Sequence, residues 1–133
     1  MVRIEHIGIA VNDLKASIEL YEQLLNTPCY KTEAVESEFV ETAFFKVGDS
    51  KIELLEASNP DSAIAKFIAK KGQGIHHIAY EVENIHAEMK RLEALGFELL
   101  NKEPKRGADN KLVCFLHPKT SGGVLVELCQ EIV

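Results

Sequence analysis

No run of apolar residues in this sequence approaches the roughly 20 that a membrane-spanning helix needs, so no membrane partner is expected. The opening MVRIEHIGIAV has no charged n-region and no long apolar stretch ending in small residues, which argues against a signal peptide. Cysteine is sparse. Cys29, Cys114 and Cys129 form neither a CxxC nor a paired framework, and free thiols in a reducing cytoplasm are the natural reading. Positive charge is also short, with 15 Lys and Arg against 21 Asp and Glu, a formal net charge of -6. No overall basic field is available to attract nucleic acid. The basic residues that are present cluster late, at Lys102, Lys105, Arg106, Lys111 and Lys119, where they could attract the phosphates of a ligand.

A chain of 133 residues fits one compact domain that buries roughly two thirds of its unfolded surface. Its clearest internal feature is a duplication. EHIGIAVNDLKASIELYEQLL resembles HHIAYEVENIHAEMKRLEALG, aligning His6 with His77 and Val11 with Val82. KIELL and VLVEL likewise align Glu53 with Glu127. The separations, 71 residues for the histidines and 74 for the glutamates, are nearly equal. Asp13 and Asn84 are suited to N-cap the two helices, and Gly96 to follow the second. NPDSAIAKFIAKKGQG, with Asn59 as cap and Pro60 in the first turn, reads as a linker helix. The expectation is an α+β chain of two βαβββ modules, over about 1–57 and 74–133, joined by a helix over about 60–72. The later strands are expected near 28–36, 39–47 and 50–57, and near 97–102, 112–117 and 123–130.

Alternation along the strands separates the faces. Ile7, Ile9 and Val11 oppose His6, Gly8 and Ala10, while Ile78, Tyr80 and Val82 oppose His77, Ala79 and Glu81. Glu53 and Glu127 point away from their aliphatic neighbours. A lone strand histidine is usually structural and a lone strand glutamate usually solvated, but four such residues in duplicated register are not easily incidental. A carboxylate buried among Val, Leu and Cys, as in GGVLVELCQ, costs several kcal/mol unless opposite charge is near. If the modules pair about a pseudo-two-fold axis, His6, Glu53, His77 and Glu127 supply four ligands to one divalent cation. Such a set suits cobalt, taken first, and also manganese, nickel or zinc. His76 has the opposite parity to His77 and reads as a buried structural residue. His86 and His117 read as solvated or hydrogen-bonded.

These four residues, in their duplicated frame, resemble the vicinal oxygen chelate (glyoxalase/bleomycin resistance/dioxygenase) superfamily. EHIGIAV, GIHHIAYEV, EPKRGADNK and FLHPKTSGGVLVEL narrow the resemblance to its methylmalonyl-CoA epimerase branch. The resemblance implies a glyoxalase-like fold of curved mixed sheets around a shared metal site, an acyl-CoA substrate and a homodimer. It also implies epimerisation between 2R and 2S forms through a metal-stabilised enolate, with Glu41 and Glu127 as the two acid/bases. Without it, Glu41 in FVETAFF reads as an edge-strand surface residue.

Two rivals stay open. A glyoxalase I-type isomerase also uses a second carboxylate like Glu53. Against it, Ala10 stands where such enzymes resemble one another in carrying an arginine, and Glu41 has no counterpart in them. A non-catalytic small-molecule-binding protein on the same scaffold is the other; such proteins commonly lose ligands, whereas all four are present here.

Overall fold

The computed structural model describes all residues, 1–133. Its elements run β1 (Arg3–Ala10), α1 (Leu14–Leu25), β2 (Lys31–Val35), β3 (Val40–Val47), β4 (Ser50–Ala57), α2 (Ala63–Lys71), β5 (Gly74–Glu81), α3 (Ile85–Ala94), β6 (Lys105–Gly107), β7 (Lys111–Leu116) and β8 (Val126–Glu131). This is the expected α+β, glyoxalase-like succession of strand, helix and three strands, twice over. No helix is long and apolar enough to cross a membrane. The chain divides into two compact units, His6–His76 and His77–Val133 with Met1–Glu5, so the boundaries pass through β1 and β5.

In the His6–His76 unit the strand order is β2-β3-β4-β1, with β1 and β4 parallel and the other pairs antiparallel. The Gly48–Asp49 turn fixes the register of β3 and β4. Val47 opposes Ser50 across it, and Gly48 takes the positive φ of 60° that glycine adopts without steric cost. Asp13 caps α1 as expected, its Oδ1 accepting from the Ala16 amide at 3.1 Å, and Asn26 ends the helix in the left-handed conformation. Leu14, Ile18, Tyr21 and Leu25 recur at helical spacing and cover Val11, Ala43, Phe45 and Leu54 on one face of the sheet. Helix α2 begins later than expected: Ser62, not Asn59, is the cap, its Oγ accepting from Ile64 and Ala65. Its apolar side, Ile64, Phe67 and Ile68, packs on Ala10, Val40 and Leu55. The expected linker is therefore part of this unit's core.

The other unit repeats the plan with the order β5-β8-β7-β6, again with one parallel pair, β5 and β8. Asn84 caps α3 and Gly96 follows it at φ 97°, both as expected. Ile85, Met89 and Leu92 pack against Cys114, Leu116 and Leu128. The strand expected over 97–102 is reduced to an isolated bridge between Leu99 and Leu116, and the paired strand lies at Lys105–Gly107. Asn101 is the cause. Its side-chain amide accepts from the Phe115 amide at 3.0 Å and donates to the carbonyls of Glu103 and Val113, taking the place of main-chain pairing. Pro104, without an N–H, cannot restore the ladder.

Two outcomes follow. Phe45 is fully buried under α1, so Phe45→Ala is expected to cost about 3–5 kcal/mol in denaturant unfolding, while the exposed Leu24→Ala stays within about 0.5 kcal/mol. All three cysteines are free. Burial pushes the Cys114 thiol up to about 11 and raises Cys129 further, whereas Cys29 is only half-buried. Alkylation at neutral pH, read by peptide mass spectrometry, is expected to label Cys29 first; equal labelling of all three would contradict this packing.

Candidate functional site

Each unit carries one buried imidazole–carboxylate pair, built by the same register. In the His6–His76 unit, Glu53 on β4 lies between Gly8 of β1 and Phe44 of β3. In the other, Glu127 on β8 lies between Ala79 of β5 and Phe115 of β7. Directly opposed residues share a face of a sheet. The carboxylate is thus flanked each time by a residue with little or no side chain on one side and a phenylalanine on the other. The histidine sits two residues before that small residue, on the same face.

His6 Nε2 stands 3.4 Å from Glu53 Oε1, and His77 Nε2 stands 3.1 Å from Glu127 Oε1. All four side chains are buried. The Phe115 ring meets the His77 imidazole edge-on, at 5.8 Å between centroids and 85° between planes, which fixes the ring's orientation. Both helices of the repeat, α1 and α3, pack on the face away from these pairs. The face that bears His6 and Glu53 is shared with α2, which covers its Ala10 and Leu55 end and leaves the end at His6 and Glu53 to the polar pair.

Imidazole nitrogen and carboxylate oxygen are borderline-hard donors that suit divalent first-row metals. A metal brings the positive charge that buried Glu53 and Glu127 require. The donor chemistry of both pairs therefore fits the expected cation.

Glu41 departs from expectation. Its register partner on β4 is Glu56, while Glu53 opposes Phe44; alternation then puts Glu41 on the opposite face from Glu53, and it is exposed. The strand is not an edge, because β2 and β4 flank it. The residue that β3 turns toward the Glu53 face is its neighbour Thr42, fully buried, whose Oγ1 donates to the Glu33 carbonyl at 2.8 Å.

The remaining polar residues divide. His76 packs edge-on against Phe67 at 4.9 Å and is half-buried, a packing role. His117 accepts from the Lys119 amide through Nδ1 at 3.1 Å, and His86 is exposed. Of the basic cluster, Lys111 is not available as an outward charge. It is buried, with its Nζ 3.4 Å from Glu131. Lys119 reaches Glu98 at 3.1 Å, while Lys102, Lys105 and Arg106 are exposed. Reading the sequence missed a further buried carboxylate, Glu5, whose Oε2 lies 3.6 Å from Arg3. The signal available was its place beside His6 in an otherwise apolar strand.

Residues 5–115 match the model of the Glyoxalase/Bleomycin resistance protein/Dioxygenase superfamily. The ethylmalonyl-CoA/methylmalonyl-CoA epimerase of Cereibacter sphaeroides is 42% identical over 96% of this chain and 97% of its own. The mitochondrial methylmalonyl-CoA epimerase of Homo sapiens is 41% identical over 96% of this chain and 73% of its own. A substituted form of the Streptomyces coelicolor methylmalonyl-CoA epimerase, solved in complex with 2-nitronate-propionyl-CoA, superimposes with a TM-score of 0.95 at 37% identity, covering 100% of this chain and 99% of that one. Matching so much of each chain at such identity, this protein belongs to the glyoxalase/bleomycin resistance protein/dioxygenase superfamily and, within it, to the family of the methylmalonyl-CoA epimerases.

Proposed function

We propose that this protein epimerises methylmalonyl-CoA at its α-carbon, holding one divalent cation through His6, Glu53, His77 and Glu127. The carrying observation is the duplicated imidazole–carboxylate pair, His6 with Glu53 and His77 with Glu127, each buried on the face opposite the one that α1 or α3 covers. Two buried carboxylates call for compensating positive charge, and His6, His77 and Glu127 are together suited to a metal. Relatives named as methylmalonyl-CoA epimerases support the substrate.

The α-carbon of that substrate lies between a thioester and a carboxylate, so its hydrogen is acidic once the developing oxyanion is stabilised. A bound divalent cation supplies Lewis-acid stabilisation of that charge. The protein's own groups do the rest. His6 and His77, both buried and the latter held by the Phe115 ring, fix where the acyl group sits. The buried Glu127 carboxylate takes the α-proton as general base. Cobalt is our first choice of metal, with manganese, nickel and zinc next. Free thiols support a reducing compartment, the cytoplasm, and we take a homodimer as the working form.

Two experiments test the reading. In deuterated water the metal-loaded protein is expected to exchange and invert the α-hydrogen of methylmalonyl-CoA, with little turnover of the methylglyoxal–glutathione hemithioacetal; the reverse preference would reject it in favour of glyoxalase chemistry. Removing metal with a chelator should abolish epimerisation, and adding cobalt should restore it. His77→Ala should lose both bound metal, by elemental analysis, and at least about 10²-fold in rate. Full metal content in that variant would remove His77 from the ligand set.

A further inference from the structure

Inverting a carbon requires proton transfer on both of its sides, and Glu127 accounts for one. We propose that Glu33 is the second acid/base, an assignment that rests on the epimerase reading above. The face of the His6–His76 unit that bears His6 and Glu53 is built in rows across the strands. Lys31, Phe44, Glu53 and Gly8 form one row, and Glu33, Thr42, Leu55 and Ala10 form the next. Apart from Glu53, Glu33 is the one carboxylate that β1–β4 turn to this face within the unit. Glu41 and Glu56, the neighbouring acids, lie on the other. Thr42 lies on the right face, but an alcohol is too weak an acid for the task and its hydroxyl already donates to the Glu33 carbonyl.

The surroundings of Glu33 aim it at the Glu53 row. Lys31 Nζ is 3.4 Å from Glu33 Oε1 and also sits over the Phe44 ring, 5.0 Å from its centroid. The carboxylate end of Glu33 is thereby drawn beside Phe44, the residue directly opposite Glu53. Two strand spacings, roughly 10 Å in all, separate the backbones of β2 and β4, a span that a bound acyl group and an extended glutamate cover. Helix α2 covers the Ala10 and Leu55 end of Glu33's own row and the apolar next row, Val35, Val40 and Ala57, so the polar end of Glu33 has only the Glu53 row to turn to. The Glu33 side chain is 34% exposed, which leaves it a route for proton exchange with water.

The steps balance. Glu127 takes the proton from one side, and the C–H pair moves into the thioester to give the enolate. The Glu33 carboxylic acid then gives its proton to the other side of the α-carbon, the enolate pair forms the new C–H bond, and Glu33 is left as a carboxylate. For the opposite epimer the two roles exchange, with Glu33 as base and Glu127 as acid. Between turnovers water restores the proton on the partly exposed Glu33, and Glu127 releases the one it took to solvent once the product has left.

The test follows each epimer of methylmalonyl-CoA separately in deuterated water, reading deuterium content by mass spectrometry and configuration by a stereospecific coupling enzyme, with metal content and melting temperature measured on every variant. Glu33→Gln is expected to keep its metal and its fold and to exchange the α-hydrogen of one epimer without inverting it. The other epimer should stay unexchanged, and inversion should fall by about 10²-fold or more in both directions. Glu41→Gln, on the opposite face, should stay within about threefold of the parent protein. Inversion by Glu33→Gln near the parent rate, equal loss of exchange for both epimers, or loss of inversion in Glu41→Gln alone would each overturn the assignment. Failure of the parent protein to exchange either epimer would instead overturn the epimerase reading itself.

Discussion

The structure is organised around keeping two carboxylates, Glu53 and Glu127, away from water without leaving their charge unanswered. Burial of an ion costs several kcal/mol, and an imidazole nitrogen a little over 3 Å away offsets part of that cost. Local architecture follows from the requirement. The strand beside each carboxylate presents Gly8 or Ala79 at the opposing position, so little or no side chain stands next to it there. The strand on the other side presents Phe44 or Phe115, which excludes water without competing for a ligand. Helices α1 and α3 are confined to the reverse faces, where Phe45 and Leu54, or Leu128 and Cys114, supply the apolar area that holds each unit together.

Much of this was legible in the sequence because a duplication lets two weak signals confirm each other. A histidine in a strand means little alone. Recurring beside a small residue, in register with a recurring glutamate, it fixes a face. Strand parity read from the chain placed His6, Glu53, His77 and Glu127 correctly because each lies in a strand whose opposite face is plainly aliphatic. Glu41 was harder, since VETAFFKV is apolar on both faces, and neither alternation is favoured by composition. The register could still have been counted from the two-residue turn at Gly48–Asp49. Pairing Val47 with Ser50 brings Phe44, not Glu41, into line with the Glu53 side. The resemblance named Glu41, and the register puts that residue on the face opposite Glu53.

The other departures have a common cause, side chains that replace backbone partners. Asn101 reads as an ordinary residue in an extended segment, yet its amide does the work of a peptide group and dissolves the expected strand. Lys111 reads as one more surface lysine; only its pairing with Glu131 across β7 and β8, at a position facing inward, removes it from the basic patch. Such substitutions leave no periodic trace, because they depend on one geometry rather than on a repeated pattern.

Where the two halves differ is as informative as where they agree. The row next to Glu53 reads Ala10, Leu55, Thr42 and Glu33; the equivalent row next to Glu127 reads Glu81, Cys129, Val113 and Lys105. At matching edge-strand positions, one unit therefore carries a carboxylate and the other an ammonium. A duplicated scaffold naturally supplies equivalent ligands, but moving a proton across one carbon while holding an anionic thioester is not a symmetric task. It needs an exchangeable proton on one side and fixed positive charge elsewhere. The symmetric residues are thus the ones suited to holding a cation, and the divergence between Glu33 and Lys105 is where the chemistry of a particular substrate can be written without disturbing them.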